Sequence, residues 1–266
     1  MTLKAEIEAA LHRPVDRLMP LHGGDLSEVR RVDFHDGTTA VAKTGPRVAT
    51  EARMLRALAK AGASVPGVLH AEDGLIVVEF LDETPPSPDA WSNLGAMLAA
   101  LHDRQGDRYG WSENYAFGAV EIDNANDDDW PRFWAERRLL AAPGSLPPDI
   151  RRRLDGLAER LDQFLPKQPP ASLLHGDLWS GNVLFTAPSA HLIDPACYHG
   201  DAEVDLAMLT LFGRPPPAFF DAYGPLREGH EKRRPLYQLW PALVHLRLFG
   251  EGYRGLVTGL LDRLGA

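Results

Sequence analysis

Three polar residues with a regular spacing, Asp177, Asn182 and Asp194, lie in the neighbouring segments HGDLWSGN and LIDPA. The first segment has the H-x-D-x-x-x-x-N spacing of a kinase catalytic loop. In that pattern Asp177 accepts the proton of an attacking hydroxyl group, while Asn182 and Asp194 bind Mg²⁺, which prefers hard oxygen ligands. The residues therefore predict phosphoryl transfer.

Asp and Asn are also common in turns, where their side chains bond to nearby backbone groups. Each of the three residues alone could be explained in that way. An ordered series of spacings around two short apolar runs, VLF and HLI, in a mainly helical region favours a functional site instead.

The groups that would hold ATP lie upstream, in the order found in kinases. Lys43 ends the apolar run TTAVAK and is predicted to hold the phosphates, with Glu51 of the next helix as its ion-pair partner. Gly23 and Gly24, followed by Ser27, would form the loop over the phosphates, because glycines let backbone amides approach an anion. This loop lacks the full G-x-G-x-x-G pattern, so an ordinary turn remains an alternative.

A lobe boundary is predicted near the proline-rich segment TPPSPD. We expect residues 1–81 to form the ATP-binding lobe and residues 82–266 to form the catalytic and substrate-binding lobe. Backbone groups of Glu79, Phe80 and Leu81 would bind adenine, with ATP in the cleft between the lobes.

The first lobe is predicted to be small and mixed. MTLKAEIEAAL suggests a helix, and VRRVDFHDGTTAVAK predicts a hairpin that turns at Asp36-Gly37. ATEARMLRALAKAG has apolar residues at helical spacing and ends at a glycine, whereas GLIVVEF is typical of a buried strand.

The second lobe is predicted to be mainly helical. Helices are expected in AWSNLGAMLAALH, DWPRFWAERRLLAA, RRRLDGLAERLDQFL, DLAMLTLF, AFFDAY and RRPLYQLWPALVHLRLF. Asp129 should cap the second of these, with Pro131 in its first turn. A hairpin of VLF and HLI interrupts the helices, so the expected fold class is α+β, a two-lobed fold like that of protein kinases.

Composition restricts the partners and the location of the protein. The formal net charge of −9 gives no general attraction for nucleic acid or for an anionic membrane surface. The single cysteine, Cys197, excludes an internal disulfide and a cysteine-rich zinc site. We find no leader pattern and no apolar run of membrane-spanning length, so a cytoplasmic protein is expected.

Four segments resemble the fructosamine kinase (ketosamine-3-kinase) family, a branch of the aminoglycoside-phosphotransferase-like kinases. They are HGDLWSGN, IDPACYHGDAEVDLAM, YGWSENYAFG with DWPRFWAERRL, and PLYQLWPALVHLRLFGEGY. The sequence departs from the family at Val244, where an asparagine is usual, and over residues 119–128. These departures put the substrate in doubt more than the catalysis.

The resemblance implies transfer of the γ-phosphate of ATP to the 3-hydroxyl group of a ketosamine, with Mg²⁺, in deglycation. It also implies that Asp205 is a buried residue that supports the backbone of the catalytic loop. Trp179, His175 and His199 lie in the motif segments and are candidates for contact with the substrate, although His175 could instead stabilise the loop by hydrogen bonds.

Two alternatives remain at the level of the sequence. An aminoglycoside or other amino-alcohol phosphotransferase would use the same catalytic residues. A kinase fold without activity could serve as a binding module, but it would not need Lys43, Glu51, Asp177, Asn182 and Asp194 together. Whether the ketosamine is a small molecule or part of a protein is also open, as is the oligomeric state.

Overall fold

The computed structural model describes residues 2–21, 28–141 and 146–266. Within these ranges the chain forms a small lobe built on an antiparallel sheet and a larger, mainly helical lobe. The predicted fold class is therefore confirmed. The predicted phosphate loop residues Gly23, Gly24 and Ser27 lie outside the described residues.

The first lobe consists of one helix before the sheet, five strands and a second helix. In chain order these are α1 (Leu3–Leu11), β1 (Val15–Pro20), β2 (Glu28–Phe34), β3 (Thr39–Gly45), α2 (Val48–Ala61), β4 (Val68–Glu72) and β5 (Gly74–Glu79). The strand order is β1-β2-β3-β5-β4, and every pairing is antiparallel.

The β2–β3 hairpin turns where the sequence predicts it. Gly37 has a φ of 82°, a left-handed conformation that glycine adopts without steric cost. The Asp36 carboxylate accepts a hydrogen bond of 3.0 Å from the Thr38 amide and closes the turn. This hairpin places Lys43 near the end of β3.

Helix α2 contacts the cores of both lobes. Val48, Ala52 and Leu55 pack with Ile76 of the sheet, whereas Met54 faces the core of the second lobe. The Met54 sulfur lies 3.3 Å from the amide nitrogen of Cys197. Because α2 also carries Glu51, its packing fixes one side of the site relative to both lobes.

The second lobe surrounds a core rich in large aromatic side chains, including Trp130, Phe133 and Trp134. Its elements are α3 (Pro88–His102), β6 (Tyr115–Phe117), β7 (Val120–Ile122), α4 (Trp130–Trp134), α5 (Pro148–Ala158), β8 (Ser172–Leu174), β9 (Val183–Thr186), β10 (Ser189–Leu192), β11 (Tyr198–Gly200), α6 (Glu203–Leu209), α7 (Pro217–Tyr223), α8 (His230–Phe249) and α9 (Arg254–Arg263). Helix α4 continues as a π-helix over Ala135–Leu139.

Local sequence signals explain several helix starts. Ser87 caps α3, accepting a hydrogen bond of 3.1 Å from the Ala90 amide. Asp129 caps α4, accepting a bond of 2.8 Å from the Arg132 amide, as predicted. None of the helices in the described ranges is long and apolar enough to cross a membrane.

Some elements differ from the sequence prediction. Strands β4, β6, β7, β8 and β11 and helix α9 were not predicted, and the helix expected over residues 151–165 ends at Ala158. Strands of three residues, such as β8 and β11, are too short to show a periodic pattern. They exist because β8 pairs with β11, although more than 20 residues separate them along the chain.

Candidate active site

The catalytic loop runs from the end of β8 to the start of β9. Gly176 in this loop has a φ of 83°, and a Cβ atom there would lie 2.0 Å from the carbonyl oxygen of Ala196. The loop therefore passes so close to the neighbouring backbone that only glycine fits. This close passage fixes the position of Asp177, the next residue.

Asn182 holds the carboxylate of Asp177 in place. Its side-chain nitrogen donates hydrogen bonds to the backbone carbonyl of Asp177 at 2.8 Å and to the Asp177 Oδ2 at 3.0 Å. Because the Asn182 nitrogen is used in this way, its Oδ1 remains as the atom that can bind a cation.

Burial raises the pKa of Asp177 to about 7, and the negative charge of Asp194 adds to this effect, whereas the hydrogen bond from Asn182 opposes it. A carboxyl group with a pKa near neutrality is well matched to accepting a proton at physiological pH.

Asp205, which the family resemblance assigns to support of the catalytic loop, is fully buried near the start of α6. Its two carboxylate oxygens accept hydrogen bonds from the amides of His175, at 2.7 Å, and Gly176, at 2.9 Å. His102 also contacts Asp205, at 3.2 Å from Nε2 to Oδ2. Although burial opposes ionisation, the hydrogen bond from His102 and that from the Gly176 amide lower the pKa of Asp205. The loop is thus anchored by a buried carboxylate.

Lys43 links the two lobes across the site. Its ammonium nitrogen lies 2.7 Å from Glu51 Oε2 and 3.0 Å from Asp194 Oδ1. Burial alone would lower the pKa of Lys43, but the carboxylates of Glu51 and Asp194 raise it, so the side chain is a cation. Asp194 has a φ of 53°, a strained conformation for a residue other than glycine and one that clusters at functional sites.

The placement of His175 requires a correction. The side chain is fully buried, its Nε2 donates to the carbonyl oxygen of Ile193 at 2.9 Å, and its Nδ1 accepts from the Asp177 amide at 3.3 Å. Burial also lowers the pKa of His175. A ring enclosed in this way cannot contact a substrate, so His175 stabilises the loop.

His199 also requires a correction, because it is not among the described residues that line the cleft. It belongs to the short strand β11, its ring centroid lies 5.5 Å from that of Trp111, and its backbone pairs with Gly110. The β8–β11 pairing, which the sequence did not reveal, thus places His199 beside Trp111 and Gly110.

Trp179, in contrast, lies on the cleft with 39% of its surface exposed. Its indole ring covers the neighbouring backbone, since a Cβ atom at Gly181 would lie 2.2 Å from the ring. The ring can therefore adopt this position only because residue 181 has no side chain.

The predicted adenine-binding segment lies at the exit from the sheet. The Glu79 amide already donates to the Gly67 carbonyl at 2.8 Å, and the Glu79 carboxylate accepts from the Gly67 amide at 3.2 Å. The amide and the carboxylate of Glu79 are thus bonded within the lobe. Phe80 packs under the guanidinium of Arg31, at 4.8 Å from its ring centroid. Adenine binding by backbone groups of Glu79, Phe80 and Leu81 stays a prediction.

A cleft of about 870 Å³ contains the residues that the sequence singled out for chemistry. Those residues are Lys43, Glu51, Asp177, Trp179, Asn182 and Asp194. The cleft is also lined by aromatic residues that sequence reasoning missed. They are Phe212, Trp240, His245, Phe249 and Tyr253. The only signal for this lining was the resemblance of the segment PLYQLWPALVHLRLFGEGY to a family motif.

No cluster of three or more His, Cys, Asp or Glu side chains that could hold a metal ion occurs in the described ranges. The oxygen atoms of Asn182 and Asp194 nevertheless suit Mg²⁺, which keeps several waters and binds through one or two protein ligands together with phosphates. The donor set therefore fits a cation that arrives with a nucleotide.

The fold and this site together define a phosphotransferase of the kinase-like, two-lobed class. The family model described as "Fructosamine kinase" matches residues 3–266, so the chain belongs to the fructosamine kinase family. It is therefore a kinase, an enzyme that transfers a phosphoryl group.

The similar proteins agree with this assignment. A "Probable ketoamine kinase" of Thermus thermophilus is 37% identical over 244 residues, which cover 89% of this chain and 90% of that protein. One of Staphylococcus aureus is 31% identical over 95% of this chain and 94% of that protein.

Among solved structures, a "putative fructosamine-3-kinase" from Thermobifida fusca superposes with a TM-score of 0.90 at 33% identity, covering 99% of this chain and 98% of that one. A macrolide 2'-phosphotransferase from Brachybacterium faecium, at 20% identity and a TM-score of 0.62 over 97% and 96% of the two chains, shares the fold.

Proposed function

We propose that the protein transfers the γ-phosphate of ATP to the 3-hydroxyl group of a ketosamine, with Mg²⁺ as the metal ion. The observation that carries this proposal is the convergence of Asp177, Asn182, Asp194 and Lys43 in one cleft. In the reaction the hydroxyl oxygen bonds to the γ-phosphorus, the bond from that phosphorus to the β–γ bridging oxygen breaks, and ADP leaves.

Asp177 accepts the hydroxyl proton in this proposal. The hydrogen bond from Asn182 holds its carboxylate, and the raised pKa makes it a proton acceptor suited to neutral pH. Lys43, kept charged by Glu51 and Asp194, binds the phosphates. Adenine would bind to backbone groups of Glu79, Phe80 and Leu81, and the backbone of Gly23, Gly24 and Ser27 would cover the phosphates.

Asn182 and Asp194 would hold Mg²⁺ through their side-chain oxygens. When bound, the ion supplies positive charge against the phosphates. Lys43 already neutralises part of the Asp194 charge in the unliganded protein, so cation binding replaces one positive partner of Asp194 with another.

The proposed substrates are fructosamines, ribulosamines or related adducts, either small or attached to a protein. Phosphorylation destabilises such adducts, which would place the enzyme in deglycation, and we propose the cytoplasm as its location. The net charge of −9 supports a partner other than nucleic acid.

Incubation of the protein with ATP, Mg²⁺ and a panel of fructosamine and ribulosamine adducts tests the proposal. Phosphate should appear on the 3-hydroxyl group, located by NMR, and the Asp177→Asn variant is the control. Turnover of an aminoglycoside or an amino alcohol with no adduct phosphorylated would instead identify the enzyme as another amino-hydroxyl phosphotransferase. No turnover of any acceptor would favour a binding module.

A further inference from the structure

Exposed hydrophobic surface is concentrated at the active-site cleft. Four large hydrophobic side chains are exposed in the described part of the chain, namely Leu69, Trp179, Phe212 and Phe249. Three of them, all except Leu69, line the cleft. An exposed apolar patch that lies within a cleft is typical of a binding surface.

Four of the rings that line the cleft form one cluster. We call Phe212, His245, Phe249 and Tyr253 the aromatic arm. The ring centroid of His245 lies 5.0 Å from that of Phe212, 5.5 Å from that of Phe249 and 4.9 Å from that of Tyr253. His245 is thus the centre of the arm, and its Nδ1 donates to the Pro241 carbonyl at 2.8 Å.

The wall that carries the arm is much longer than a sugar ring. From Tyr237 to Phe249, one face of α8 lines the cleft, and the distance along the helix between these two residues is about 18 Å at a rise of about 1.5 Å per residue. A ketosamine whose hydroxyl group lies at Asp177 fills only part of this length. The rest of the cleft can hold whatever is attached to the nitrogen.

The lining of the cleft combines charged and apolar side chains. The charged side chains are Lys43, Arg47, Glu51, Glu121, Asp177 and Asp194. The lining side chains of the aromatic arm carry no fixed charge, and burial lowers the pKa of His245, which keeps its ring neutral. A polyhydroxylated carbon chain can find polar partners around Asp177, whereas the arm offers an apolar surface.

We propose that the aromatic arm binds the amine part of the ketosamine. The enzyme would then prefer alkylamines that carry a large apolar or phenyl-containing substituent. This inference rests on the proposed function. The ketosamine nitrogen is three bonds from C3 and carries a positive charge at neutral pH, which aromatic faces attract. An apolar substituent on it then buries its surface against the rings, and the gain in binding grows with the apolar area that is buried.

A series of fructosamines that differ only in the amine tests the proposal. The methylamine, butylamine and benzylamine adducts share one sugar and one charge. We expect kcat/KM of the unmodified enzyme to rise at least about tenfold from methyl to benzyl, mainly through KM. In the Phe212→Ala/Phe249→Ala double variant the rise should disappear, because kcat/KM falls most for the benzylamine adduct and least for the methylamine adduct, which has almost no apolar substituent to bury.

Leu69→Ala, an equally exposed side chain on β4 outside the cleft, is the matched control and should leave the series unchanged. Phe249→Leu, which keeps apolar bulk, should retain most of the rise and guards against a folding defect in the double variant. Equal kcat/KM for methyl and benzyl adducts in the unmodified enzyme would overturn the inference. An equal loss on all three adducts in the double variant would assign the arm to the sugar and overturn it as well.

Failure of the proposed function has a different signature. In that case no adduct of the series is phosphorylated by the unmodified enzyme, whatever its amine.

Discussion

At the scale of single residues, the site is made of groups whose charges are costly to bury. Asp177 is half-buried and lies near the negative charge of Asp194, and Asn182 provides its direct hydrogen bond. The stability of the unliganded protein is therefore reduced by the ionised form of this carboxylate.

Replacing Asp177 with Asn should separate function from stability. We expect kcat to fall by about 10²- to 10⁴-fold, the usual contribution of a general base. The metal-free and ATP-free variant should melt at a higher temperature than the unmodified protein at pH 8. Activity assays and thermal melts measure the two effects, and an unchanged kcat would remove Asp177 from its assigned role.

The pH dependence of this stability difference follows from the sign of the pKa shift. The pKa of Asp177 is raised from 3.8 to about 7 in the folded protein, so stability is lost as pH rises through this interval. The difference in melting temperature between Asp177→Asn and the unmodified protein should be small near pH 4 and largest above pH 7. A difference that is constant over this range would contradict the shift.

Gly176 offers a second prediction at this scale, because the structure supplies a matched control. Gly176 and Gly37 have φ values of 83° and 82°, but only at Gly176 would a Cβ atom meet backbone, at 2.0 Å from the Ala196 oxygen. Alanine at either position costs about 1 kcal/mol of strain or more. Gly176→Ala should cost clearly more than Gly37→Ala in urea unfolding and should also reduce kcat, whereas equal effects would show that the loop can move.

At the scale of elements, the site depends on contacts between segments that are distant in the sequence. The start of α6 supplies Asp205 to the end of β8, and α2 reaches the core of the second lobe through Met54. The strands β8 and β11 connect the catalytic loop with the metal-binding segment.

The Asp205→Asn variant tests the anchoring of the loop. An amide group cannot accept both backbone hydrogen bonds, so one buried N–H of His175 or Gly176 loses its partner, at a cost of about 1–3 kcal/mol. We expect a lower free energy of unfolding together with a lower kcat. Asp221→Asn, on the exposed side of α7, is the control and should change neither.

Elements with strong local signals were predictable from the sequence, and those created by pairing were not. The Asp36-Gly37 turn and the capping residue Asp129 act within a few residues of themselves, so they can be read locally. The positions of His175 and His199 were not predictable, because burial under Asp205 and the β8–β11 pairing arise only when distant segments meet. For the same reason the chemical groups of the site could be predicted, but the aromatic lining around α8 could not.

At the scale of the whole molecule, the second lobe holds α2 from outside the cleft as well as through its core. Glu113 accepts hydrogen bonds from Arg53, at 2.7 Å to Nε, and from Thr50, at 2.9 Å, both on α2. The hydrogen bond from Arg53 lowers the pKa of Glu113, so this connection persists at neutral pH and weakens in acid. Because α2 carries Glu51, the connection bears on the position of Lys43.

The Glu113→Gln variant should therefore affect function more than stability. Exposed ion pairs contribute about 0–1 kcal/mol, so the free energy of unfolding should change little. We expect a severalfold increase in KM for ATP, measured by steady-state kinetics, because α2 is less firmly held. Asp128→Asn breaks an exposed ion pair with Arg108 inside the second lobe and should leave KM for ATP unchanged.

The indole that covers Gly181 also makes the cleft observable by fluorescence. Of the six tryptophans in the chain, Trp179 is the one exposed by more than a third, and the other five are partly or fully buried. A water-soluble quencher such as acrylamide will therefore reach Trp179 in preference to the rest. Protection of this emission by an acceptor would report binding without turnover, and loss of the quenchable fraction in Trp179→Phe would assign the signal.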